Sequence, residues 1–145
     1  MGNGRKRINW PEWALKLAFV VAERSEDPYV QVGGVALRHD NSVAAVAYNG
    51  APPGIEIDWS DRDERRKRVI HCEDNLMRYI KPGECYLAAF TISPCADCVK
   101  NLKCYGIKEI YFQDFYNKDT FGVELAKEFG VFVYQIGKDG IFTQC

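Results

Sequence analysis

Two cysteines three residues apart lie in the run Ser93-Pro94-Cys95-Ala96-Asp97-Cys98. The run follows a stretch of strand-like composition and opens a helix-like one. Proline is favoured in a first helical turn and serine near a cap, so Cys95 and Cys98 read as two thiols on one face of a helix N-terminus. Free thiols titrate near pKa ~8.5, but a helix N-terminus and a bound cation both favour the thiolate. Such a pair can hold zinc once a nitrogen ligand joins it. The chain has 2 histidines. His39 falls in Arg38-His39-Asp40-Asn41, the composition of a solvated turn, whereas His71 follows the apolar pair Val69-Ile70 at a helix start, with Glu73 two positions on. Three protein ligands, His71, Cys95 and Cys98, leave a fourth position for water, which is the catalytic arrangement of zinc. Zinc lowers the pKa of its water to about 7, and Glu73 can shuttle the proton. A lone C-x-x-C would equally suit a redox pair or a structural metal; the acid beside His71 is what argues for catalysis. Cys72, Cys85 and Cys104 read as small packing residues.

Several elements must position these groups. Trp10, Trp13, Ala14, Leu17, Ala18 and Val21 recur at helical spacing, with Asn9 and Glu12 in a capping arrangement and Pro11 in the first turn. Val30 to Leu37 and Ser42 to Tyr48 read as a hairpin. Gly and Pro punctuate Asn49 to Gly54, and charge crowds Asp58 to Arg68, so this stretch is expected to be an irregular surface connection. The order then becomes helix (His71 to about Tyr79), strand (Cys85 to Ile92), helix (Cys95 to Tyr105), strand (Glu109 to Phe112), helix (Thr120 to Phe129) and strand (Val131 to Ile136). That alternation predicts an α/β sheet whose later strands run parallel. The whole of 1–145 is expected to form one domain, with 1–8 a flexible arm.

Bulk properties restrict the function. The chain has 145 residues, 47% of them hydrophobic, and 19 basic against 20 acidic side chains for a net charge of -1. Nothing there advertises a broad nucleic-acid or membrane surface, and a small polar substrate fits better. The longest clean apolar run, Leu17 to Ala22, is far short of the ~20 residues that span a bilayer. The start of the sequence shows no apolar leader, so the 6 cysteines are read as thiols or metal ligands in a reducing, cytoplasmic setting.

His71-Cys72-Glu73 followed by Pro94-Cys95-Ala96-Asp97-Cys98 resembles the H-x-E and P-C-x-x-C signature of zinc deaminases, in which the glutamate is acid and base without ligating the metal. Three further stretches extend the resemblance to the deoxycytidylate deaminases of the cytidine deaminase superfamily, over about Trp13 to Ile136. Arg24-Ser25-Glu26-Asp27-Pro28 with Gln31-Val32-Gly33-Gly34 resembles the approach to that family's first strand. Tyr48-Asn49-Gly50-Ala51-Pro52 resembles its Y-N-G-x-P turn, and Gly106-Ile107-Lys108-Glu109-Ile110 its entry to a late strand.

The resemblance implies a three-layer α/β/α cytidine deaminase-like fold with a mixed five-stranded sheet, and hydrolysis of deoxycytidine monophosphate to deoxyuridine monophosphate and ammonia. It implies Asn49 at the sugar or base, Val32 beneath the base and Tyr116 lining the nucleotide pocket. Homo-oligomers, hexamers or dimers, and regulation by deoxynucleoside triphosphates are further implications. A phosphate would need cations: Arg24, Arg65 and Arg68 are the candidates, the last two from the run Arg62, Arg65, Arg66, Lys67, Arg68, in which Asp63 and Glu64 interleave. Where the family has H-A-E-x-N-A, this chain has Cys72 and Leu76, which bears on the shape of the base pocket. No Cys or His lies in Ile55 to Ile70, so one zinc per chain is expected. Other cytosine nucleotides, cytidine, a tRNA base and a non-catalytic zinc-binding regulatory role remain alternatives. The net charge disfavours the tRNA reading, and Glu73 the regulatory one.

Overall fold

The computed structural model describes residues 4–116 and 119–145. Its core is a six-stranded mixed sheet in the order β2-β1-β3-β4-β5-β6. The strands are β1 (Gly33–Arg38), β2 (Val43–Tyr48), β3 (Cys85–Ile92), β4 (Glu109–Asp114), β5 (Phe132–Ile136) and β6 (Phe142–Gln144). The hairpin of β1 and β2 turns at Asn41, whose φ of 67° suits a residue tolerant of the left-handed region. Strand β1 pairs antiparallel with β3, β3 and β4 run parallel as do β4 and β5, and β6 returns antiparallel along β5. The expected parallel half is therefore present, but the sheet has six strands and not five. The extra one is three residues long and mostly exposed, too brief to carry a period-2 pattern.

Strand alternation sends Val35, Leu37, Leu87, Ala89, Tyr111 and Ile136 to one face, where helix α1 (Trp10–Ala22) covers them with Ala14, Leu15 and Ala18. Ala36, Ala88, Phe90, Ile110, Phe112 and Val133 point the other way. They meet α3 (Cys72–Met77), α4 (Ala96–Cys104) and α5 (Phe121–Glu128) through Cys72, Leu76, Val99, Leu102, Val123 and Ala126. Helix α1 starts as expected: Asn9 accepts from the Glu12 amide at 2.9 Å, with Pro11 in the first turn.

Two expectations change in the first half. Strand β1 begins at Gly33, not Val30, because the Val30 carbonyl and the Val32 amide are bonded by the Asn49 side chain, and the Val32 carbonyl by the Asn49 backbone amide just past the end of β2. The charged stretch is not irregular throughout, since Arg62–Arg68 forms helix α2, capped by Asp61 accepting from the Glu64 amide at 3.1 Å. None of the side chains of α2 is buried. The insert that contains it is closed at its base by a bridge between Gly50 and Ile70, with N–H···O distances of 3.2 and 2.8 Å. Residues 4–9 precede α1 as an exposed segment without helix or strand, and residues 1–3 of the expected arm lie outside the described residues. Among the described residues no helix is long and apolar enough to cross a membrane.

Candidate active site

The two sequence motifs meet because each begins a helix on the same side of the sheet. His71 is the N-cap of α3 and Cys95 that of α4, and neither side chain caps its own helix. Both are thus free to turn toward a common point, where Cys98 joins them from the first turn of α4. Cys95 Sγ lies 3.3 Å from Cys98 Sγ, and His71 Nδ1 lies 3.7 and 3.5 Å from the two sulfurs. Tetrahedral zinc with ordinary bond lengths requires about 3.8 Å between sulfurs and about 3.6 Å between nitrogen and sulfur. The donor set fits that ion and the nitrogen–sulfur spacings match it, while the two sulfurs, at 3.3 Å, would part by about 0.5 Å to receive it. This is the one His/Cys/Asp/Glu cluster of metal-holding geometry among the described residues.

The protonation chemistry is consistent with such use. The Cys98 thiol and then the His71 ring, both hydrogen-bonded to it, hold Cys95 well below the ordinary thiol range, while Cys98 is pushed up by its bond to Cys95 and by burial. His71 is raised to about 9, chiefly by Cys95 and against its own burial. The trio gathers negative charge and exchangeable protons that a divalent cation would displace. Glu73, in the first turn of α3, is 5% exposed, and burial pushes its carboxyl up to about 7 against hydrogen bonding from its own backbone amide and from the Cys98 thiol. A carboxyl poised there can both take and return a proton at neutral pH.

His71, Cys95 and Glu73 line a cleft of about 660 Å³, whose walls include Tyr29, Val32, Asn49, Cys72, Ser93 and Tyr116. That volume lies within the ordinary range for small-molecule sites. Asn49 is buried and works as a hub: Oδ1 accepts from Ser25 Oγ at 2.7 Å and the Val32 amide at 2.9 Å, and Nδ2 donates to the Val30 carbonyl at 2.8 Å. It thereby holds the wall on which Val32 sits. Tyr116 stands at the rim, exposed, its amide donating to Ser93 Oγ at 3.1 Å. Cys72 is buried in the cleft wall with its thiol donating to the Ala47 carbonyl at 3.2 Å, whereas Leu76 packs in the core away from the cleft.

The three candidate cations separate. Arg65 lines the cleft together with Arg62 and Arg66. Arg68 is not among the lining residues and pairs with Glu64 at 3.9 Å. Arg24 lies in a second groove, of about 680 Å³, beside Glu26, Tyr48, Asn75, Arg78 and Tyr79. Sequence reasoning passed over Tyr29, which carries the Arg65 guanidinium 4.2 Å above its ring; it lies in a loop with no periodic signal. It also passed over Gly122 of α5. A Cβ there would sit 2.1 Å from the Pro94 carbonyl oxygen and 3.0 Å from the Cys95 carbonyl carbon, so α5 packs directly on the backbone that presents Cys95.

Comparison with known proteins agrees with this arrangement. Residues 8–114 match the family described as the cytidine and deoxycytidylate deaminase zinc-binding region. Human deoxycytidylate deaminase is 33% identical over 118 residues, covering 72% of this chain and 65% of that protein, so the chain spans about two thirds of the length of such relatives. ComE operon protein 2 of Bacillus subtilis is 29% identical over 143 residues, 92% of this chain and 75% of that one. The dCMP deaminase of cyanophage S-TIM5, solved in complex with dCMP and dUMP, superposes with a TM-score of 0.78 at 24% identity over 90% of this chain and 99% of its own. By the extent of the family match, which takes in both motifs, the chain belongs to the cytidine and deoxycytidylate deaminase zinc-binding family.

Proposed function

We propose that the chain is a hydrolase that converts dCMP and water to dUMP and ammonia, with one zinc held by His71, Cys95 and Cys98 and with Glu73 as the proton carrier. The observation that carries this reading is the meeting of the three ligand atoms beside a buried carboxyl at the end of a nucleotide-sized cleft. Zinc bound there would supply Lewis-acid activation of water. Glu73 accepts the proton released as the water oxygen bonds to C4 of cytosine and passes it to the ring nitrogen. It then takes the remaining proton from the new C4 hydroxyl and delivers it to the departing amine as the C4–N bond breaks and the C4 carbonyl forms. Val32 and the Asn49-held backbone form the wall against which the base rests, and Tyr116 shields the rim. The cationic side of the cleft favours a nucleotide over a nucleoside. The relatives named deoxycytidylate deaminase and the cyanophage complex support dCMP as the substrate.

The remaining expectations follow from surface features. The outward side of α1 exposes Trp10, Phe19 and Val20, which suits burial against another copy in a homo-oligomer. The second groove around Arg24 has the size and the cation to receive a deoxynucleoside triphosphate effector. Six unpaired thiols suit a cytoplasmic setting. The test of the main reading is an ultraviolet absorbance screen of cytosine, its nucleosides and their mono- to triphosphates, with Glu73→Gln as the blank. Turnover of dCMP falling by roughly 10²- to 10⁴-fold in the variant, with zinc retained, is expected. Undiminished turnover in Glu73→Gln would overturn the assignment.

A further inference from the structure

Helix α2 combines two properties that do not ordinarily coexist in a structural element. Its side chains are not buried, and every hydrogen bond it makes among the described residues stays within residues 58–69. Yet it directs Arg62, Arg65 and Arg66 at the cleft, and among the described residues none of the three forms a salt bridge. A helix held so lightly contributes little to the fold. Asp27, the carboxylate that lines the same cleft, is taken up by the Tyr29 and Val30 amides and forms no salt bridge with the three guanidinium groups, which therefore gain from the arrival of an anion. Its tie across the cleft is the Arg65 guanidinium over Tyr29, a residue of the loop that leads to Val32.

We propose that α2 is a phosphate-ordered clamp: Arg62 and Arg66, one turn apart on the same side of the helix, grip the 5′-phosphate of the substrate, while Arg65 on Tyr29 sets the span of the cleft. Guanidinium groups pair with phosphate oxygens through two parallel N–H···O bonds, so two such groups on one turn can saturate a monophosphate. The anion would then reinforce the cation–π tie of Arg65 to Tyr29 with charged hydrogen bonds from α2, and phosphate binding and ordering of the helix become one event. This rests on the deaminase reading for the identity of the base, but not for the clamp itself.

Two measurements test it. The first is the ratio of kcat/KM for dCMP to that for deoxycytidine. Wild type is expected to prefer the monophosphate strongly, and Arg62→Gln combined with Arg66→Gln to lower that ratio by roughly 10- to 100-fold. Arg68→Gln, outside the cleft, is expected to keep it. The second uses the zinc-loaded Glu73→Gln protein, which does not consume its ligands. Trypsin cuts after arginine, so cleavage after Arg62, Arg65 and Arg66 is expected to slow with dCMP and not with the same concentration of deoxycytidine. A wild type indifferent to the phosphate, a double variant that keeps the ratio, or equal protection by both ligands would each overturn the clamp. If no cytosine compound were turned over but dCMP alone protected α2, the deaminase reading would fail and the clamp would stand.

Discussion

Replacing Gly122 by alanine tests whether the metal ligands are held by packing from outside the two motifs. The added Cβ would lie 2.1 Å from the Pro94 carbonyl oxygen, and ordinary contact begins near 3.4 Å, so α5 and the Pro94–Cys95 backbone must part by about 1.3 Å. Overpacking of that size costs about 1–3 kcal/mol of stability. The specific consequence falls on Cys95, because metal sites tolerate displacements of only about 0.5 Å. Disturbing the support of a ligand typically lowers metal affinity about 10- to 100-fold, equivalent to about 1.4–2.7 kcal/mol. Zinc affinity is measured by competition with a chromophoric chelator, and folding by circular dichroism. Gly130→Ala is the control. It lies beyond the far end of α5 at φ 79° with open space around it, so it costs about 1 kcal/mol through backbone strain alone. A folded Gly122→Ala protein that binds zinc like wild type, or a Gly130→Ala protein that loses zinc equally, would refute the reasoning.

Metal analysis of the pure protein is expected to give one zinc per chain, and His71→Ala or Cys98→Ser to remove it while leaving a folded chain; two zincs per wild-type chain would contradict the site as drawn. Asn49→Ala leaves the Val30 carbonyl and the Val32 amide without their side-chain partner, while Ser25 keeps the Asn49 backbone carbonyl, which predicts a loss of about 2–3 kcal/mol in chemical denaturation, together with a raised KM. A loss below about 0.5 kcal/mol, the range of ordinary surface substitutions, would show that the hub is dispensable. Phe112→Ala, fully buried between the sheet and its helices, should cost about 3–5 kcal/mol by the same measurement, with zinc stoichiometry unchanged.

The meeting of His71, Cys95 and Cys98 was legible in the sequence because metal chemistry restricts residue type and spacing, and because each motif follows an extended segment and opens a helix. The parallel half of the sheet was legible for a related reason: alternating elements leave few topologies open. Helix α2 was not, since seven charged residues with no apolar period read as a solvated connection. Its helicity comes from the Asp61 cap and local charge, and its orientation toward the cleft is a tertiary fact. For the same reason Arg65 could not be told from Arg68 or Arg24, although the structure sends the three in different directions. The bonding of Asn49 was not legible: Asn-Gly announces a turn, but nothing local reveals that its side-chain amide bonds the Val30 carbonyl and the Val32 amide.

The bridge between Gly50 and Ile70 has a bearing on how such a protein could change. It pins the two ends of residues 51–69 together one position before His71, so whatever happens inside that span is mechanically insulated from the metal ligand. The segment that carries Arg62, Arg65 and Arg66 to the cleft can therefore be lengthened, shortened or recharged without rebuilding the helix start that presents His71. On the proposed reading selectivity and chemistry would be housed in separable modules, and grafting a different span between residues 50 and 70 is expected to change nucleotide preference while zinc binding is kept.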